Sequence, residues 1–208
     1  MHTHLIHPGH APSVNAQLIV MLHGYGSNEW DLYALKEHLP GAYYPVALRG
    51  YIDTPFGGYA WYPLYVDASG TFSVNEKEML QTARKLIEDL NEIRRKFGFS
   101  APLNLLGFSQ GSIMSYLLMS LRPELFHQII AFSGYIHEPV MNDPGADEVK
   151  HLRVFASHGI YDDIIPIERA EKVPEWLKKH HIEHTFKVYP SAHNLIPENI
   201  KDAMHFLA

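Results

Sequence analysis

Apolar residues in this chain fall into two kinds of run. Short, nearly unbroken apolar stretches recur at Gln17–Leu22, Tyr43–Leu48, 103–106, 128–132, 152–157 and 184–189. Runs of this length and continuity are expected of strands buried on both faces of a parallel sheet, with Tyr43–Leu48 the weakest of them. Between them, apolar positions recur at helical spacing. The clearest stripe is Met79, Ala83, Leu86, Leu90, Ile93 and Phe97, one face of a 3.6-residue period. Ser73 and Glu76 ahead of it have the spacing of a capping box, and Gly98 follows as a helix-ending glycine. Further helices are predicted over 29–38, from residue 110 onward, over 167–181 with a kink or restart at Pro174, and over 196–207. Strands alternating with helices throughout 1–208, with no linker or repeat, predict a single α/β domain. Its sheet should be open, mostly parallel and covered by helices on both faces.

Two stretches stand outside this pattern. Residues 49–70 carry Tyr51, Phe56, Tyr59, Trp61, Tyr62 and Tyr65 among glycines and prolines. The aromatic content argues against disorder and leaves a packed satellite cluster or a functional loop. The histidine-rich start (His2, His4, His7, His10) has no regular spacing and no nearby carboxylate to complete a metal site. A frayed terminus or a short edge strand is the expectation there.

Composition narrows the classes of function. The 208 residues are 46% hydrophobic and 19% charged, enough for one sizeable core. A net charge of -6 with no basic run disfavours nucleic acid as a partner. The absence of cysteine excludes disulfides, thiol catalysis and zinc-thiolate sites. No apolar run reaches membrane-spanning length and the first residues lack a signal peptide's features, so a cytoplasmic location is the default expectation. Monomer and homodimer both remain open.

The chemistry concentrates in three loops. Residues 103–111 read as a strand entering Gly107-Phe108-Ser109-Gln110-Gly111 and then a helix, the context of a nucleophile elbow. A glycine-rich turn whose serine only caps the helix is the competing reading. After the strand at 152–157 comes a turn with Asp162 and Asp163, and after the last strand comes His193. Nucleophile, acid and histidine thus follow in the order that this fold uses, each at the carboxyl end of a strand. His23-Gly24-Tyr25-Gly26 after the first strand lacks both phosphate-loop signatures, which leaves an oxyanion loop.

These motifs together resemble the phospholipase/carboxylesterase family of α/β hydrolases, over nearly the whole chain after Gln17. The resemblance implies Ser109 as nucleophile, His193 as base and Asp162, from His158-Gly159-Ile160-Tyr161-Asp162, as orienting acid. It implies an oxyanion hole from the Tyr25 and Gln110 backbone N–H groups, with His23 and Trp61 beside the substrate. Ala60-Trp61-Tyr62 is similar to a segment lining the family's acyl pocket. Three positions depart from the family pattern: Ala192 before the histidine, the duplicated Asp163, and Ser112. The implied activity is hydrolysis of small-molecule esters or thioesters with a hydrophobic acyl group, needing no cofactor and no metal. A non-catalytic protein of the same fold that binds an acyl or aromatic ligand is the alternative. Two finer expectations follow: the Gln110 side chain should matter little, and Asp163 should cap a helix starting near Pro166.

Overall fold

The computed structural model describes residues 4–66 and 72–208. Seven strands form one sheet: β1 (Leu5–Ile6), β2 (Gln17–Leu22), β3 (Tyr43–Leu48), β8 (Leu103–Phe108), β9 (Phe126–Phe132), β10 (Arg153–Gly159) and β11 (Glu183–Tyr189). Their spatial order is β1-β3-β2-β8-β9-β10-β11. Only β1 runs antiparallel to its neighbour; the rest are parallel. Two short hairpins stand apart, β4 (Ile52–Asp53) with β5 (Tyr59–Ala60), and β6 (Tyr65–Val66) with β7 (Phe72–Ser73). The helices are α1 (Trp30–Tyr33), α2 (Glu76–Phe97), α3 (Gln110–Leu121), α4 (Ala146–Val149), α5 (Ile167–Ala170), α6 (Lys172–Lys179) and α7 (Pro197–Leu207).

Strand alternation explains why helices cover both faces. Leu18, Val20 and Leu22 of β2 join one core with Val46, Leu105, Ile129 and Val154, packed against α2, α3 and α6. Ile19 and Met21 of the same strand point the other way. There they pack with Ala47, Leu106, Ile130 and Phe155 against α1 and α7. Successive side chains of a strand leave by opposite faces, so a continuous apolar run is what a sheet buried on both sides needs. Tyr43–Leu48 is buried along its whole length, with Pro45 accommodated.

Several local expectations change in detail. The N-cap of α2 is Asn75, whose Oδ1 accepts from the N–H groups of Lys77 and Glu78. Ser73, the predicted capping serine, is instead paired with Tyr65 in the hairpin. Gly98 ends α2 with φ 75°, a left-handed conformation that favours glycine. The predicted 29–38 helix is α-helical only over Trp30–Tyr33 and tightens to a 3-10 turn over Ala34–His38. Leu39 is already extended before Pro40, as the residue preceding a proline prefers. The 167–181 helix restarts after Glu171, and Pro174 sits in the first turn of α6, where a missing N–H breaks no helical bond.

The histidine-rich start becomes the edge strand β1, with Leu5 opposite Leu48; His2 lies outside the described residues. Within the aromatic stretch, Trp61 and Tyr62 are fully buried while Phe56 and Tyr65 are exposed. Its end, residues 67–70, also lies outside the described residues. Among the described residues no helix is long and apolar enough to cross a membrane.

Candidate active site

Chain order and spatial order part company at the centre of the sheet. From β2 the chain moves to β3 on one side, and later enters β8 on the other. This reversal of strand order, at the carboxyl ends of β2 and β8, is where open α/β sheets place their ligands. Ser109 leaves β8 at that reversal with φ 51° and ψ -116°, a backbone region that costs a non-glycine residue roughly 1–3 kcal/mol. The surroundings hold it there. Its N–H donates to the Phe132 carbonyl at 2.9 Å. The buried Ser112 hydroxyl donates to the same oxygen at 2.7 Å. A Cβ on Gly107 would lie 2.6 Å from the Gly111 backbone, and one on Gly111 would lie 1.8 Å from the Leu22 carbonyl oxygen. The two glycines let β8, α3 and β2 approach this closely.

Three predicted side chains converge. His193 Nε2 lies 2.9 Å from Ser109 Oγ, and His193 Nδ1 lies 2.6 Å from Asp162 Oδ2. A carboxylate only accepts, so Nδ1 carries the proton toward Asp162 and the Nε2 lone pair faces the serine hydroxyl. The other carboxylate oxygen, Oδ1, accepts from the Ile164 N–H at 3.0 Å and the Ile165 N–H at 2.8 Å. The Asp162 side chain is fully buried, and these donors offset the loss of water. Asp163, its neighbour, is exposed. The capping role expected of Asp163 is absent: the helix after Pro166 has no side-chain cap, and the turn aims the Asp162 carboxylate inward to the amides of Ile164 and Ile165 instead.

Backbone bonds stitch the acid loop to the histidine loop. Ile160 N–H donates to the Tyr189 carbonyl at 2.9 Å and Tyr161 N–H to the Ser191 carbonyl at 3.0 Å. Gly159 permits this approach, since a Cβ there would lie 2.3 Å from the Ser191 oxygen. Phe108 backs the imidazole, ring centroids 5.0 Å apart.

The oxyanion-loop candidates lie beside the elbow. Gly24 abuts the elbow: a Cβ on it would meet the Phe108 ring at 3.1 Å and Ser109 Cβ at 3.4 Å. His23 is buried, with Nδ1 2.7 Å from the Gly24 carbonyl oxygen and Nε2 accepting from the Gly50 N–H at 2.8 Å. This pairing fits only the neutral Nδ1–H tautomer, and burial pushes the His23 pKa down accordingly. Across a trans peptide the C=O and the next N–H point in opposite directions. Holding the Gly24 carbonyl on the His23 side therefore turns the Tyr25 N–H away from that ring. Gln110 is the first residue of α3, whose N–H has no partner within its own helix.

His23 and Trp61, expected beside the substrate, are both buried. Trp61 is fully buried and its indole N–H donates to the His23 carbonyl at 2.9 Å. The Gln110 side chain, also buried, accepts from the Trp61 N–H at 2.9 Å and donates to the Tyr62 carbonyl at 2.8 Å. Sequence reasoning missed this side-chain role, since nothing local to Gln110 points to residues 61 and 62. It also missed the partly buried Glu29–Arg49 ion pair that braces the segment after the loop, where Arg49 holds the Glu29 carboxyl below its usual range. Among the described residues no cluster of His, Asp or Glu could hold a metal ion.

Fold and site geometry together define an α/β-hydrolase-fold protein. The whole-chain comparison is narrower: residues 6–208 match the model of the phospholipase/carboxylesterase family, and the chain belongs to that family. Acyl-protein thioesterase 1 of Kluyveromyces lactis is 26% identical, over 92% of this chain and 90% of the relative. The Bacillus cereus carboxylesterase superposes with a TM-score of 0.87 at 17% identity, covering 98% of this chain and 92% of that one. Esterase PE8 superposes with a TM-score of 0.74 at 28% identity, covering 98% and 95%.

Proposed function

We propose that the protein is a serine hydrolase of carboxylic esters or thioesters that works through an acyl-enzyme. The observation that carries this reading is the alignment of Asp162, His193 and Ser109 at 2.6 and 2.9 Å. A serine hydroxyl is a weak nucleophile until a base takes its proton, and His193 Nε2 lies within reach of that proton. Ser109 Oγ attacks the carbonyl carbon as its proton passes to Nε2. Asp162 holds the ring in the correct tautomer and stabilises the imidazolium that forms.

The negative charge on the carbonyl oxygen is received by the Tyr25 and Gln110 N–H groups. Each such donor is worth on the order of 3 kcal/mol in comparable sites. His193 then gives its proton to the leaving alcohol or thiol, which departs and leaves Ser109 acylated. Water, deprotonated by the same nitrogen, attacks the acyl carbon; the acid is released and Ser109 recovers its proton. Membership of the phospholipase/carboxylesterase family supports this chemistry, and the thioesterase relative keeps thioesters in the substrate class.

Short and medium acyl chains fit better than long ones, because among the described residues no inserted helical domain follows any strand of the sheet and Trp61 is packed away from solvent. Ser109→Ala should fold normally while losing ester hydrolysis and labelling by an active-serine phosphonate. Labelling retained at another serine would overturn the assignment. A series of p-nitrophenyl esters from acetate to palmitate tests chain length, and a preference for palmitate would refute the short-chain reading.

A further inference from the structure

Asp162 is touched by a second imidazole that the mechanism above does not use. His158, in β10, is completely buried; its Nε2 lies 2.7 Å from the Ile165 carbonyl oxygen and 3.2 Å from Asp162 Oδ2. Both oxygens only accept, so Nε2 must carry a proton. The other ring nitrogen, Nδ1, is buried with no hydrogen-bond partner. A proton on Nδ1 would be a buried donor with no partner, whereas a bare nitrogen there is the lesser cost. We propose that His158, as the neutral Nε2–H tautomer, is a positioning residue that fixes the direction in which Asp162 faces His193.

The geometry gives the ring two grips on the carboxylate. Ile165 donates its N–H to Asp162 Oδ1 while its own carbonyl is held by His158. The imidazole therefore clamps the far end of the turn whose amides hold Oδ1. Its N–H edge also leans on Oδ2, the oxygen that faces His193. Asp162 is the charged group in contact with the ring, and His193 lies beyond it. Remove the Nε2 donor and the buried Ile165 carbonyl is left without its partner. The turn then relaxes, and Oδ2 loses its alignment with His193 Nδ1. A displacement of about 1 Å at such a distance from the reacting atoms lowers turnover on the order of 10²-fold.

The proposal rests on the hydrolase reading, and its test has one arm that needs no substrate. Two-bond ¹H–¹⁵N correlation on the wild-type protein at neutral pH should show His158 protonated at Nε2 and bare at Nδ1. An Nδ1–H tautomer would overturn the proposal, whatever becomes of the hydrolase assignment. The second arm compares two amides. A glutamine side chain can put its nitrogen where ring Nε2 lies, and an asparagine puts its nitrogen where Nδ1 lies. His158→Gln should keep most of the wild-type kcat, while His158→Asn should lose on the order of 10²-fold in kcat at unchanged KM. Equal kcat in the two variants, or a change confined to KM, would overturn the positioning role. If His158→Asn does not fold, the tautomer measurement and His158→Gln still decide it.

Discussion

The Gln110 side chain grips the Trp61 segment at two points, accepting from the Trp61 N–H at 2.9 Å and donating to the Tyr62 carbonyl at 2.8 Å. Gln110 thus has a structural role besides the backbone N–H proposed for the oxyanion hole. Gln110→Ala would strand two buried backbone groups, each costing about 1–3 kcal/mol. The variant should unfold at clearly lower denaturant concentration than the wild type and lose activity with its stability. Chemical denaturation beside Ser109→Ala, which should be as stable as the wild type, separates this effect from loss of chemistry.

The adjacent aspartates should behave as opposites. Asp162→Asn presents an N–H either to His193 and His158, which share Oδ2, or to the Ile164 and Ile165 N–H groups at Oδ1, where an acceptor is needed, and kcat should fall by on the order of 10⁴. Asp163 is exposed and its carboxylate lies outside this network, so Asp163→Asn should keep wild-type activity and melting temperature. Steady-state kinetics on the pair decides between them, and a dead Asp163→Asn would move the orienting acid.

Ser109 is held at φ 51°, where glycine is at ease and serine is strained. Ser109→Gly should therefore melt higher than Ser109→Ala, by the equivalent of about 1 kcal/mol, with both variants inactive. Equal melting temperatures would mean that the elbow stores no strain.

Gly111 faces the Leu22 carbonyl oxygen, with 1.8 Å available for a Cβ. A backbone atom cannot rotate away as a side chain can, so β2 and α3 would have to separate. Gly111→Ala should be destabilised by more than about 4 kcal/mol and yield little soluble protein. Gly41→Ala is the control, because nothing lies within 4 Å of its added methyl.

Burial lowers the pKa of His23 below its ordinary 6.5, and that of His137 likewise. A histidine with a depressed folded-state pKa binds its proton more readily in the unfolded chain. Between the folded value and about 6.5 the unfolded state holds more protons, so stability falls as pH drops through that window. Melting temperature should be flat above about pH 7 and decline below about 6.5. His23→Asn should start lower and show a shallower decline; an identical slope would remove His23 from the acid response.

Much of this architecture is written locally in the chain. An apolar run buried on both faces, the α2 stripe from Met79 to Phe97 and the glycines around Ser109 each act through neighbours a few residues away. Their pattern therefore survives in one dimension, and so does the order Ser109, Asp162, His193. What tertiary structure decided is which partner each polar group meets. Asn75 rather than Ser73 caps α2 because Ser73 is drawn into a hairpin with Tyr65. Asp162 rather than Asp163 turns inward because the Ile164 and Ile165 amides receive it. Trp61 and His23 are turned inward, where the indole and the imidazole are hydrogen-bonded to backbone far along the chain. Ser109 and His193 are 84 residues apart, and Gln110 and Trp61 are 49. Hydrophobic periodicity is a local property, whereas a buried hydrogen bond needs its partner at one distance and angle. Only the folded sheet, by bringing the carboxyl ends of its strands to one edge, supplies that partner.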